Sequence, residues 1–122
     1  VADVLGGAVR REVNAVGQGS VAVVCADAWL ERCERALTDA GVDFGRATRH
    51  GLDEQVTVVV VRMVKGLELD SVIVVEPADI LEADDRGPQA LYVALTRATR
   101  RLSLVHERPL PEVLLGSGGK RS

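Results

Sequence analysis

Three arginines crowd into one short stretch, Thr96-Arg97-Ala98-Thr99-Arg100-Arg101, directly after the apolar run Leu91-Tyr92-Val93-Ala94-Leu95. Arginine keeps its charge, and its planar fork matches the oxygens of a phosphate. A guanidinium aimed at a phosphoryl group in transfer stabilises transition-state charge and is worth ~10³–10⁵ in rate. The same residues suit a plainer use, since cations near a helix C-terminus offset its dipole. Earlier stands Lys65-Gly66-Leu67-Glu68, between two apolar runs. A glycine permits close backbone approach to a ligand, and a carboxylate accepts hydrogen bonds from sugar hydroxyls. A solvated turn reads equally well from those four residues taken alone.

These segments need elements to hold them. Val1, Leu5, Val9, Val13 and Val16 form a helical stripe, so a helix is expected over 1–16, ended by Gly17 and Gly19. Val21–Cys25 reads as a buried strand. Asp27 suits an N-cap, and Leu30, Cys33, Leu37 and Ala40 line a helix over 28–40 that Gly41 stops. Residues 42–55 read as a loop with room for one short strand. Further strands are expected at 56–61, 72–75 and 102–105, and a proline-opened helix at 88–99. Glu76 to Arg86 is acidic and reads as a surface loop. Valine runs without alternation call for a parallel sheet covered on both faces. The order of elements fits an open α/β sheet. Ligands of such sheets sit outside the carboxyl ends of strands, where the Lys65–Glu68 loop is expected.

Composition narrows the function. The chain has 122 residues, 47% of them apolar, enough for one core. No apolar run approaches a bilayer span, and no signal-peptide pattern opens the sequence. Val1 is not an initiator Met, so the chain reads as cut from a longer protein. Cys25 and Cys33 fall in apolar positions and read as core thiols of a cytoplasmic protein. With His50 and His106 they make no metal-ligand spacing, so no metal site is expected. A net charge of −3 and a single Trp, Tyr and Phe argue against an autonomous nucleic-acid binder.

Taken together and in this order, Lys65-Gly66-Leu67-Glu68 and Leu91-Tyr92-Val93-Ala94-Leu95-Thr96-Arg97-Ala98 resemble motifs V and VI of superfamily 1 helicases of the UvrD/Rep type. The resemblance covers about residues 20–106. It implies the second of two RecA-like domains that clamp ATP, with 1–106 as that domain and 107–122 as a partly disordered tail. It implies Glu68 at the nucleotide ribose, with Lys65, Gly66 and Thr96 beside the nucleotide, and Arg97 as the finger at the γ-phosphate. Arg32, placed after the first strand as an arginine of motif IV would be, is a candidate second γ-phosphate contact. A helix arginine facing solvent near Glu31 and Glu34 is the other reading of Arg32.

The implied partners are an N-terminal RecA-like domain of the same polypeptide and single-stranded DNA, with ATP and Mg²⁺ as cofactors. The Mg²⁺ ligands belong on the missing domain. DNA-tracking members carry a threonine and a histidine where this chain has Val60 and Arg62, which leaves Arg62 as a weak nucleic-acid candidate. The stretch Val64 to Pro77 resembles the HelD-type branch, whose motor remodels RNA polymerase. A non-catalytic interaction module is a third alternative.

No phosphate-cradling Gly-x-x-x-x-Gly-Lys-Ser/Thr loop exists in the chain. Gly118-Gly119-Lys120-Arg121 lacks the hydroxyl after the lysine, and Val74-Val75-Glu76 is followed by Pro77, so it reads as a plain strand end. The isolated chain is therefore expected to bind ATP weakly and not to hydrolyse it. Phosphate release measured on repurified protein checks this, and turnover above background would contradict it.

Overall fold

The computed structural model of the chain describes residues 2–46 and 54–111. Its strands are β1 (Val21–Cys25), β2 (Gly45–Arg46), β3 (Val56–Val60), β4 (Leu69–Val75) and β5 (Ala98–Val105). Its helices are α1 (Ala2–Val16), α2 (Leu30–Asp39), α3 (Pro77–Glu82) and α4 (Gly87–Leu95), with single 3₁₀ turns at Asp27–Trp29 and Val61–Met63. All strands pair in parallel, in the order β2-β3-β1-β4-β5.

The valine runs are buried from end to end because the sheet is covered twice. Val21, Val23, Cys25, Val58, Ile73 and Val75 face α1 and α2, meeting Leu5, Val9, Cys33 and Leu37. The alternate residues Ala22, Val24, Val59, Val72 and Val74 face the other way, onto Ile80 of α3 and Leu91 and Ala94 of α4. The helices therefore divide between the two faces, as an open α/β sheet requires.

Several boundaries differ from the sequence expectation. The strand expected at 72–75 already begins at Leu69, because the polar Asp70 and Ser71 hide its first half. The acidic stretch after β4 is not all loop. Pro77 starts α3, and Pro77, Ala78 and Ile80 are buried. Six residues are too few for a periodic signal, and the surrounding acids mask those that pack. Asp27 does not cap α2; its carboxylate takes the Arg62 Nε instead, at 3.0 Å. The helix expected over 88–99 stops at Leu95, where the Thr96 hydroxyl donates to the carbonyls of Tyr92 and Val93, both at 3.0 Å. β5 accordingly begins at Ala98. It is an edge strand with polar, exposed residues in its first half, which apolarity alone does not reveal. The tail expected from 107 has no helix or strand through Pro111, and 112–122 lie outside the described residues.

One buried carboxylate fastens α1 to the sheet. The Glu12 side chain is fully buried and accepts from Arg101 Nε at 2.7 Å, Ser71 Oγ at 2.8 Å and Ser103 Oγ at 3.3 Å. The Arg101 guanidinium holds the Glu12 carboxyl down at about 2 against the opposing pull of burial, with Ser71 and Arg11 adding to it. A carboxyl lowered from 4.5 in the folded state contributes stability above about pH 4.5, which is lost as pH falls toward 2. Glu12→Ala, which strands Arg101 and two serines, is expected to cost about 2–3 kcal/mol at neutral pH. Denaturant titrations of both proteins at several pH values between 2 and 7 check this. The gap should narrow toward the acid end, and a pH-independent gap would refute the assignment.

Candidate functional site

Parallel pairing decides where the two motif-bearing segments meet. β3 ends at Val60, but β4 restarts parallel to it beyond β1, so the connection must cross a face of the sheet. Val64 and Leu67 pack into the α4-side core as it crosses. The Lys65–Glu68 loop thus ends at the amino edge of the sheet, not at the carboxyl edge expected from the general rule. α4 makes the same journey and delivers Thr96 and Arg97 to the same edge. Leu69 pairs with Ala98, and the Leu69 N–H donates to the Arg97 carbonyl at 3.1 Å. Glu68 and Arg97 are therefore neighbours at the start of adjacent strands. Gly66 takes φ +88°, a left-handed backbone that suits glycine, with open space where a Cβ would stand.

The arginine cluster sorts itself by partner. Arg101 is bound to Glu12. Arg100 Nη1 donates to the carbonyl of Val16, the last residue of α1, at 3.4 Å, so its cation meets the negative end of that helix. Both reach the α1 side because β5 carries an extra residue. Leu69 is opposite Ala98 while Ser71 is opposite Arg101, a bulge that breaks strand alternation. Arg97 is different. Among the described residues its guanidinium has only the Thr96 hydroxyl, at 3.4 Å, and its Nε is buried without a partner. Lys65 and Glu68 are exposed.

Arg32 lies elsewhere. It sits in the first turn of α2, which starts from the carboxyl end of β1, and its guanidinium lies 4.8 Å from the Trp29 ring centroid. At ~3.3 Å per residue β4 alone puts about 20 Å between the two edges. Arg32 and Arg97 cannot meet at one phosphate, so the expectation of Arg32 as a second γ-phosphate contact is withdrawn. Arg62 is also at the carboxyl edge, tied to Asp27. Near it runs a groove of about 530 Å³ lined by Trp29, Val61, Arg62, Asp79, Glu82 and Asp84. Asp79 accepts from the Trp29 indole at 2.6 Å and from Arg108, and Trp29 and Arg108 hold its carboxyl below the usual range although burial opposes them. Nothing in the sequence linked these residues, which come from separate elements.

Glu76, at the end of β4, is buried in a left-handed backbone with φ +48°. Its Oε2 accepts the Glu107 N–H at 3.0 Å, which anchors the chain leaving β5. No group of three His, Cys, Asp or Glu suited to hold a metal ion occurs among the described residues. No described helix is long and apolar enough to cross a membrane.

The all-parallel sheet with helices on both faces matches the RecA-like fold of helicase domains among solved structures. The chain belongs to the viral superfamily 1 RNA helicase core domain family, whose model matches residues 24–106. Among solved structures it is similar to the C-terminal domain of a possible DNA helicase from Lactobacillus plantarum WCFS1, at 29% identity and a TM-score of 0.71. That match covers 90% of this chain and 70% of the other. It is similar in fold to the arterivirus nonstructural protein 10 helicase in complex with DNA, at 20% identity and a TM-score of 0.58, over 86% of this chain and 26% of that one. The Sulfolobus solfataricus SWI2/SNF2 ATPase core in complex with double-stranded DNA shares the fold at 14% identity and a TM-score of 0.58, over 90% of this chain and 25% of that one. Comparison with curated proteins gives no match.

The different employment of the arginines predicts different consequences for stability. Arg101→Ala leaves the buried Glu12 carboxylate with only the longer Arg11 contact for a cation and is expected to lower the thermal midpoint by about 5 °C. Arg97→Ala removes no ion pair and is expected to shift it by less than about 1 °C. Thermal melts of the two variants check the contrast, and equal losses would contradict it.

Proposed function

We propose that this chain is the C-terminal motor domain of an ATP-dependent superfamily 1 DNA helicase or translocase of the UvrD/Rep type. It supplies Glu68 and Arg97 to an ATP site shared with an N-terminal RecA-like domain. The observation that carries the reading is the state of Arg97. Of three clustered arginines, two serve the fold, whereas Arg97 is uncommitted among the described residues and adjoins Glu68 at an open edge. A buried donor without a partner in a charged group is costly, and an incoming anion would relieve it.

The chemistry follows from what each group can do. The Arg97 fork neutralises charge that builds on phosphoryl oxygens as the terminal phosphate departs. Glu68 accepts from ribose hydroxyls and orients the nucleotide, while Gly66 lets the loop backbone approach and Lys65 adds a cation at its rim. The Thr96 hydroxyl proton is engaged with α4 carbonyls, so Thr96 serves Arg97 as an acceptor. Mg²⁺, which neutralises phosphate charge when bound, takes its ligands from the N-terminal domain. The chain's place is the cytoplasm, a reading supported by two buried free thiols, Cys25 and Cys33.

A second reading is the same domain in a HelD-type ATPase that remodels RNA polymerase. The carboxyl edge favours it over DNA tracking. Val60 is buried and has no hydroxyl for phosphate, and Arg62 is engaged by Asp27 in a groove that also holds Asp79, Glu82 and Asp84. A non-catalytic module fits less well, because it has no use for an uncommitted Arg97 beside Glu68.

In the intact protein, Arg97→Ala is expected to leave folding and ATP binding in place and to lower turnover at least ~100-fold, because a finger acts in the transition state. Arg97→Lys should be nearly as damaging, since it loses the bidentate fork. Glu68→Ala should act more on ATP affinity. Steady-state ATPase kinetics check all three, and full-rate turnover by Arg97→Ala would refute the site.

A further inference from the structure

Two hydrogen bonds lock the segment bearing Glu68 to the segment bearing Arg97. One is the backbone bond from Leu69 N–H to the Arg97 carbonyl, at 3.1 Å. The other comes from a side chain: the Thr99 hydroxyl donates to the Leu69 carbonyl at 3.2 Å. This second tie falls where the β4–β5 register breaks, between the Leu69–Ala98 and Ser71–Arg101 pairs. A bulge bends its strand and weakens the local ladder, so a side-chain bond there has unusual leverage over strand position. The remaining polar residues of the bulged stretch, Arg100 and Arg101, reach away to α1. Thr99 alone in that stretch reaches back across to the residue following Glu68.

We propose that Thr99 is a positioning residue for the nucleotide site. Its hydroxyl, held to the Leu69 carbonyl, sets the spacing between Glu68 and Arg97, so that one nucleotide meets both. The inference rests on the reading that Glu68 and Arg97 face the same nucleotide. Such geometry is exacting, since a misplacement of about 1 Å can cost ~100-fold in rate. Thr99 is exposed, so removing its hydroxyl leaves no hole in the core.

The test uses the intact protein that contains this domain. Thr99→Val keeps the β-branched shape and removes the donor, whereas Thr99→Ser keeps the donor. Thr99→Val is expected to lower ATP kcat/KM roughly 10-fold, through both kcat and KM, and Thr99→Ser to restore it to within about twofold. In a Glu68→Ala background the loss caused by Thr99→Val should shrink to less than about threefold, because the carboxylate it positions is gone. Unchanged kcat/KM in Thr99→Val would overturn the proposal. So would a loss of equal size in both Glu68 backgrounds, which marks a general structural effect, or a Thr99→Ser variant as impaired as Thr99→Val. Arg97→Ala, run in parallel, separates the two readings. If it is inactive while Thr99→Val is unaffected, only the positioning role falls; if it is fully active, the nucleotide site falls with it.

Discussion

Every strand of this sheet must start from the same edge, and that single constraint places the candidate site. A parallel strand cannot follow its predecessor through a tight turn; the chain has to travel back across a face. β3 returns through Val64 and Leu67, and β4 through α3 and α4. Both returns end beside each other because β4 and β5 are paired neighbours. Two segments that are distant in sequence are thus delivered side by side at the amino edge, with Glu68 on one and Arg97 on the other. The helices exist as much to make this return as to cover the valines.

Electrostatics then divides the charged residues between holding the fold and remaining available. Glu12 lies within the apolar α1 face and would be untenable alone, since an isolated buried carboxylate carries a large desolvation cost. Arg101, Ser71 and Ser103 make it tolerable, and in doing so they stitch α1 to β4 and β5. The bulge that turns Arg100 and Arg101 toward α1 leaves Arg97 outside this structural network. At the carboxyl edge the opposite holds. Asp27, Asp79 and Glu82 are each taken up by Arg62 or Arg108, and Arg32 lies over Trp29, so these three arginines are already employed. The two edges of one sheet are chemically unlike: among the described residues, the amino edge holds Arg97 outside any ion pair, beside Glu68.

Much of this was legible in the residues. The unalternating valine runs determined a parallel sheet buried on both faces, because only double cover makes both sides of a strand apolar. The stripes of α1 and α2 determined which faces they bury. The pairing of Lys65-Gly66-Leu67-Glu68 with the Arg97 segment, in that order, singled out the two segments that the fold brings side by side. Tertiary structure alone decided the rest, for reasons of distance and competition. The edge on which the loop emerges depends on the crossover path, which no local pattern encodes. The separation of Arg32 from Arg97 follows from the depth of the sheet between them. The end of α4 at Leu95 and the early start of β5 depend on Thr96 and on pairing with Leu69. And which of three neighbouring arginines stays available was set by Glu12 and the end of α1, more than eighty residues earlier, because a cation in a cluster belongs to whichever partner the fold brings to it.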